Sequence, residues 1–126
     1  MLSEAVVDHL KTPRNQGVLE PPCASGLAGC TERGQFVRVQ LRIEKDRIQA
    51  ARFQTYGCAF AIAAASYLTE WATGRTCTQA RRLEAGALER ALGGFPPAKK
   101  VCAAWAVEAL RAALDQVPEE ETPDDR

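Results

Sequence analysis

The sequence predicts an α+β fold, a small three-stranded antiparallel sheet with helices packed on one face. Three observations predict it. Residues 35–43 alternate, with Val37, Val39, Leu41 and Ile43 facing one way and Arg38, Gln40 and Arg42 the other, the pattern of a half-buried antiparallel strand. Glu44-Lys-Asp-Arg47 is a tight polar turn into a second strand over 47–56, which carries β-branched and aromatic residues. Helix-spaced apolar runs lie before and after this pair, so the order is helix, strands, then helices.

The elements follow in order. Residues 2–11 form a short amphipathic helix with Ser3 as a cap and Ala5, Val6, Val7 and Leu10 on its apolar side. Thr12-Pro-Arg-Asn-Gln-Gly17 ends it. Residues 18–34 are rich in Pro, Gly and Cys and read as a loop, with a short edge strand near Ser25–Ala28. After the hairpin, residues 59–73 are an alanine-rich helix with Ile62, Tyr67, Leu68 and Trp71 at helical spacing, ended by Gly74. Thr76–Leu83 and Ala85–Leu92 are short helices, and Gly93-Gly94 closes the second. Phe95-Pro-Pro is a rigid extended segment. The last helix runs from Ala98 to about Val117, with Val101, Ala104, Trp105, Leu110, Ala113 and Leu114 suited to packing. Pro118 ends it. The expected organisation is one domain over 1–117 and an acidic, disorder-prone tail over 118–126.

Bulk properties narrow the function. The chain has 126 residues, with 16 basic and 16 acidic side chains. That balance leaves no electrostatic footprint for nucleic acid or an anionic membrane. No apolar run approaches the length that spans a bilayer, and the N-terminus has no basic region followed by an apolar block. The expectation is a cytoplasmic protein that binds neither membrane nor nucleic acid.

The five cysteines are at 23, 30, 58, 77 and 102, and the single histidine is His9. The cysteine number is odd and there is no CxxC, so structural disulfides are not expected in a cytosolic chain. One histidine excludes a His-rich metal site. Gly57-Cys58 stands where the second strand meets the alanine-rich helix. A thiolate at a helix N-terminus is stabilised by unpaired N–H groups and the helix dipole. A reactive or metal-binding sulfur and a small buried cysteine at an element boundary both fit this place. No phosphate-binding glycine loop and no Ser-His-Asp arrangement are visible, so neither a hydrolase nor an oxidoreductase is expected, and the protein is read as not an enzyme.

Four segments carry a resemblance. They are Val-Val-Asp-His-Leu-Lys-Thr-Pro-Arg-Asn-Gln-Gly (6–17), Ala-Arg-Phe-Gln-Thr-Tyr-Gly-Cys-Ala-Phe-Ala-Ile-Ala-Ala-Ala-Ser (51–66), Leu-Thr-Glu-Trp-Ala-Thr-Gly-Arg (68–75) and Leu-Gly-Gly-Phe-Pro-Pro-Ala-Lys-Lys-Val-Cys (92–102). In this order and spacing the chain resembles the IscU/NifU N-terminal family of iron–sulfur cluster assembly scaffolds, over roughly residues 3–116. The resemblance implies a SufE/NifU-like fold and a metal or cluster site of three cysteines, an aspartate and a histidine. It also implies a cysteine that accepts persulfide sulfur from a cysteine desulfurase. The proline segment, Phe95–Lys99, is similar to the docking motif for a DnaK-class chaperone; a rigid connector explains the prolines equally.

Position by position, the site departs from the family. The family's Cys-Gly-Asp is Arg33-Gly34-Gln35 here, and the histidine before the last cysteine is Val101. Cys58 and Cys102 remain, as the candidate persulfide acceptors and cluster or iron ligands. Two thiolates fall short of the four donors such ions favour, and Arg33 adds a permanent cation. Cys30 and Glu32 are the candidates to complete the set, Cys30 being otherwise a surface thiol. Arg33 can also act by lowering the pKa of Cys58 or Cys102. Cys23 and Cys77 are read as incidental, and His9 as a structural residue of the packed N-terminus. Two functions compete: a scaffold that accepts sulfur and binds iron or a cluster through the surviving cysteines, and a degenerate homologue that acts as a sulfur relay or desulfurase-binding adaptor. A zinc-dependent sulfur acceptor fits less well, because the aspartate and histidine are both missing.

Overall fold

The computed structural model describes residues 2–116; the tail expected at 118–126 lies outside them. Helix α1 is Glu4–Lys11, capped by Ser3, whose Oγ accepts from the Val6 N–H at 3.1 Å and donates to the Leu92 carbonyl at 2.6 Å. One cap side chain thus starts the helix and ties it to Leu92, a residue distant in sequence. Strands β1 (Ala24–Cys30), β2 (Gln35–Glu44) and β3 (Arg47–Tyr56) form an antiparallel sheet in that order. The β2–β3 turn puts Lys45 and Asp46 at φ of 54° and 66°, the twist a two-residue hairpin needs. The expected alternation holds: Val37, Val39, Leu41, Ala51 and Phe53 are fully buried on one face. The free edge of β3 is covered by residues 15–17, through Phe53 N–H to the Asn15 carbonyl at 2.9 Å and Gly17 N–H to the Phe53 carbonyl at 2.8 Å.

Helix α2 (Ala59–Ala72) packs on β3. Helices α3 (Cys77–Arg81) and α4 (Ala85–Ala91) follow, then a 3-10 turn over Pro97–Lys99 and helix α5 (Lys100–Asp115), which lies across β1 and β2. Thr76 starts α3 with a reciprocal cap in which it and Gln79 each accept from the other's backbone N–H. The alanines of α2 and α5 keep side chains short where the two helices meet each other and the sheet; Ala63, Ala64, Ala65, Ala103, Ala106 and Ala109 are fully buried.

Two expectations change. The edge strand is not a short piece near 25–28 but a seven-residue strand, paired in unbroken register from Ala24–Leu41 to Cys30–Gln35. Its alternation is hidden because the residue facing α5 is a glycine. A Cβ on Gly26 would run into the Ala109 carbonyl oxygen and the Ala113 nitrogen. The buried face of α5 also differs. It is Cys102, Ala103, Ala106, Val107, Ala109, Leu110, Ala113 and Leu114, whereas Val101 is exposed. The 3-10 turn sets the helix phase so that Cys102 points in and Val101 out.

His9 is structural, as expected. It is buried, with Nδ1 2.7 Å from Ser66 Oγ on α2 and its ring edge-on to Tyr67. Ser66 Oγ accepts from the Arg14 N–H at 2.8 Å, which leaves its own proton for Nδ1. Burial first, then the Arg14 charge, holds His9 below its ordinary pKa, in keeping with a neutral imidazole that accepts there.

Candidate thiol site

The site is assembled from three separated stretches. The β3–α2 junction brings Cys58, the start of α5 brings Cys102, and the end of β1 with the following turn brings Cys30, Arg33 and Gln35. Together with Lys99, Val101 and Trp105 they line a cleft of about 260 Å³. Cys58 is the N-cap of α2, in extended backbone, and its carbonyl accepts from the Ala61 N–H at 3.0 Å. The residue is partly exposed. Cys102 is in the first turn of α5, 4 % exposed. The two Sγ atoms are 3.6 Å apart.

These surroundings divide the two thiols. Burial pushes Cys58 up, but the Ala61 N–H, the Cys102 thiol, the Phe60 N–H and the Lys99 charge together outweigh it, and the net effect holds Cys58 below its ordinary value. Cys102 is pushed up to about 12, by burial first and then by its hydrogen bond to Cys58 and the Cys58 charge, with Lys99 offsetting part of this. The first proton is therefore lost more readily from Cys58 than from Cys102.

The positions that resemble the family's ligands do converge. Arg33, Gln35 and Val101 face the same cleft as Cys58 and Cys102. The three positions therefore belong to one cleft rather than to scattered surface. Among the described residues no group of three or more His, Cys, Asp or Glu side chains is placed to hold a metal ion. Cys30 does line the cleft, but it is the last residue of β1, paired with Gln35, rather than part of a free loop. Glu32 sits on the 3-10 turn over Thr31–Arg33, exposed and outside the cleft lining.

The cation that lowers Cys58 is Lys99, where the sequence pointed to Arg33. Lys99 lies within the proline segment read as a docking motif, and only the 3-10 turn carries it to the thiols. Cys23 faces away, near Gln40 and the Leu19 carbonyl. Cys77 opens α3 beside Asp46, and burial, then Asp46, pushes it up to about 11. Neither lines the cleft.

The fold and site define a small α+β protein with a paired-thiol cleft between a sheet end and two helix N-termini. The chain belongs to the NifU-like N terminal domain family, whose family model matches residues 1–123. It is 37% identical over 116 residues to the iron-sulfur cluster assembly scaffold protein IscU of Azotobacter vinelandii, covering 89% of this chain and 90% of that protein. It is 39% identical over 114 residues to the iron-sulfur cluster assembly scaffold protein IscU 1 of Archaeoglobus fulgidus, covering 90% and 74%. The fold is similar to the crystal structure of a nitrogen-fixing NifU-like protein (N-terminal) from Brucella abortus, with a TM-score of 0.74, 18% identity and 94% of each chain covered.

Proposed function

We propose that the chain acts in iron–sulfur cluster assembly as a scaffold-like protein, accepting sulfur from a cysteine desulfurase and presenting Cys58 and Cys102 to iron or a nascent cluster. The observation that carries this is the thiol pair, 3.6 Å apart in a cleft, one residue partly exposed with its thiol pKa held below the ordinary value, the other buried with its thiol pKa pushed up. A thiolate is what attacks the sulfane sulfur of a donor persulfide. The names of the similar proteins support the same process. The protein is a carrier rather than an enzyme and works in the cytoplasm; among the described residues no helix is long and apolar enough to cross a membrane. Within the segment suited to a DnaK-class chaperone, Pro96, Pro97 and Ala98 are exposed, while Phe95 is buried against Phe60 at 4.9 Å between ring centroids.

A second reading has a specific observation behind it. Two thiols with Arg33 and Lys99 in the same cleft, and no group of three donors placed for a metal among the described residues, are a poor tetrahedral site for a cation. On this reading the chain relays sulfur or binds the desulfurase and builds no cluster. The test is anaerobic incubation with ferrous iron, L-cysteine and a cysteine desulfurase, then desalting and determination of iron, sulfide, zinc and the visible spectrum. Equimolar iron and sulfide, with a charge-transfer band lost in Cys58→Ser, establish the scaffold. A colourless, metal-free chain carrying persulfide on Cys58 establishes the relay. Neither band nor persulfide overturns both.

A further inference from the structure

The cleft holds three sulfur-bearing residues, but only two sulfurs are in contact. Cys58 and Cys102 are 3.6 Å apart, and a disulfide needs about 2.05 Å between sulfurs. The two sulfurs, already in contact, have about 1.5 Å left to close to form one. The two thiols also differ in access. Cys58 is partly open to the cleft, whereas Cys102 is 4 % exposed. Cys58 is therefore the more open of the two to a macromolecular sulfur donor.

The neighbours that could occupy these sulfurs differently are missing. At the other positions facing the cleft stand Arg33, Gln35 and Val101, and no group of three donors exists among the described residues. For a dithiol at contact distance, outside any group of three donors among the described residues, thiol–persulfide exchange is an available reaction.

We propose that Cys102 resolves a persulfide carried on Cys58, so that this chain itself converts sulfane sulfur to sulfide and releases it into the cleft. The proposal rests on the reading of Cys58 as the sulfur acceptor. Cys102 Sγ bonds to Cys58 Sγ, and the bond from Cys58 Sγ to the sulfane sulfur breaks. The Cys102 proton passes to the terminal sulfur, so that the Cys102 thiolate is the attacking nucleophile, and the electron pair of the breaking bond stays with the sulfane sulfur, which leaves as HS⁻. The reactants are Cys58–S–S⁻ and Cys102–SH; the products are the Cys58–S–S–Cys102 disulfide and HS⁻, with sulfur, hydrogen and charge conserved. The sulfane sulfur gains two electrons, and the two cysteine sulfurs supply them by forming the disulfide. An external dithiol reductant then returns the pair to its starting state. The cleft, at about 260 Å³, has room for the extra sulfur atom, and Lys99 on its wall faces the departing anion.

The experiment loads the full chain anaerobically from an immobilised cysteine desulfurase and L-cysteine, with no dithiol present, and then removes both. Released sulfide is measured against the intact mass and the peptide map. The wild-type chain is expected to yield one sulfide per chain converted to the Cys58–Cys102 disulfide. Cys102→Ser and Cys102→Ala are expected to keep persulfide on Cys58 and release sulfide at least about tenfold more slowly. Cys30→Ser is expected to behave as wild type. Wild-type chain that keeps its persulfide without releasing sulfide overturns the inference but leaves the acceptor reading intact. Loss of sulfide release in Cys30→Ser, with retention in both Cys102 variants, overturns the role of Cys102. Absence of persulfide and disulfide in every variant overturns the acceptor reading itself.

Discussion

Cys58 and Cys102 are the same residue type at nearly the same point, and their surroundings make them different reagents. Cys58 caps a helix whose first N–H groups face it, and the Lys99 charge adds to them; Cys102 is enclosed and hydrogen-bonded to its partner. Lys99 is the part of this arrangement that variation can remove most cleanly, because it lies at the cleft rim rather than in the core. In Lys99→Met the thiolate of Cys58 loses a favourable charge, so its pKa rises. The pH profile of Cys58 alkylation by iodoacetamide should therefore shift to higher pH, with slower labelling at neutral pH. An unchanged profile would show that the helix N–H groups alone hold the thiolate. Cys58 and Cys102 could be picked out from the chain itself, since each sits in a recognisable segment. Lys99 could not, because nothing in its neighbours announces a 3-10 turn that carries it to the sulfurs.

Among the elements, β1 and α5 depend most on each other. Gly26 lets the backbone of the strand touch the backbone of the helix near Ala109 and Ala113. The same helix carries Cys102, and the same strand ends at Cys30. Gly26→Ala must therefore push α5 off the sheet. Overpacking of this kind costs about 1–3 kcal/mol, and the contacted atoms are backbone, so the upper end is expected. Urea unfolding should show that loss, and thiol labelling should show Cys102 more reactive as the helix lifts. Wild-type stability would mean that the strand shifts instead. The strand is hard to see in the chain because glycine and alanine leave little hydrophobic alternation, whereas β2 and β3 show theirs plainly. Val101 misleads for a related reason: valine in a helical run suggests core, yet the turn before α5 rotates it to the cleft.

At the level of the whole molecule, three distant segments meet to form one cleft, and the departures from the family's ligand pattern all fall on its walls. Arg33, Gln35 and Val101 lie beside Cys58 and Cys102. The combined variant R33C, Q35D and V101H removes a cation and adds a thiol, a carboxylate and an imidazole at that one place. Its zinc affinity, measured by competition with a chromogenic chelator, should exceed that of the wild-type chain by at least about a hundredfold, since changes merely behind metal ligands already alter affinity 10–100-fold. Equal affinities would mean that the cleft does not bring these positions within reach of one ion.

The amino-acid sequence by itself determined the layered order of helix, hairpin and helices, the turn at Lys45-Asp46, and the segments that carry Cys58 and Cys102. Those features are local: they follow from periodicity, capping and the residues on either side. Only the tertiary structure decided that Cys58 and Cys102 touch and that Cys30 is tied into a strand. It also decided that Glu32 is turned to solvent and that Lys99 acts on the thiolate. These outcomes depend on helix phase and on the approach of α5 to β1, set by packing between segments far apart in the chain.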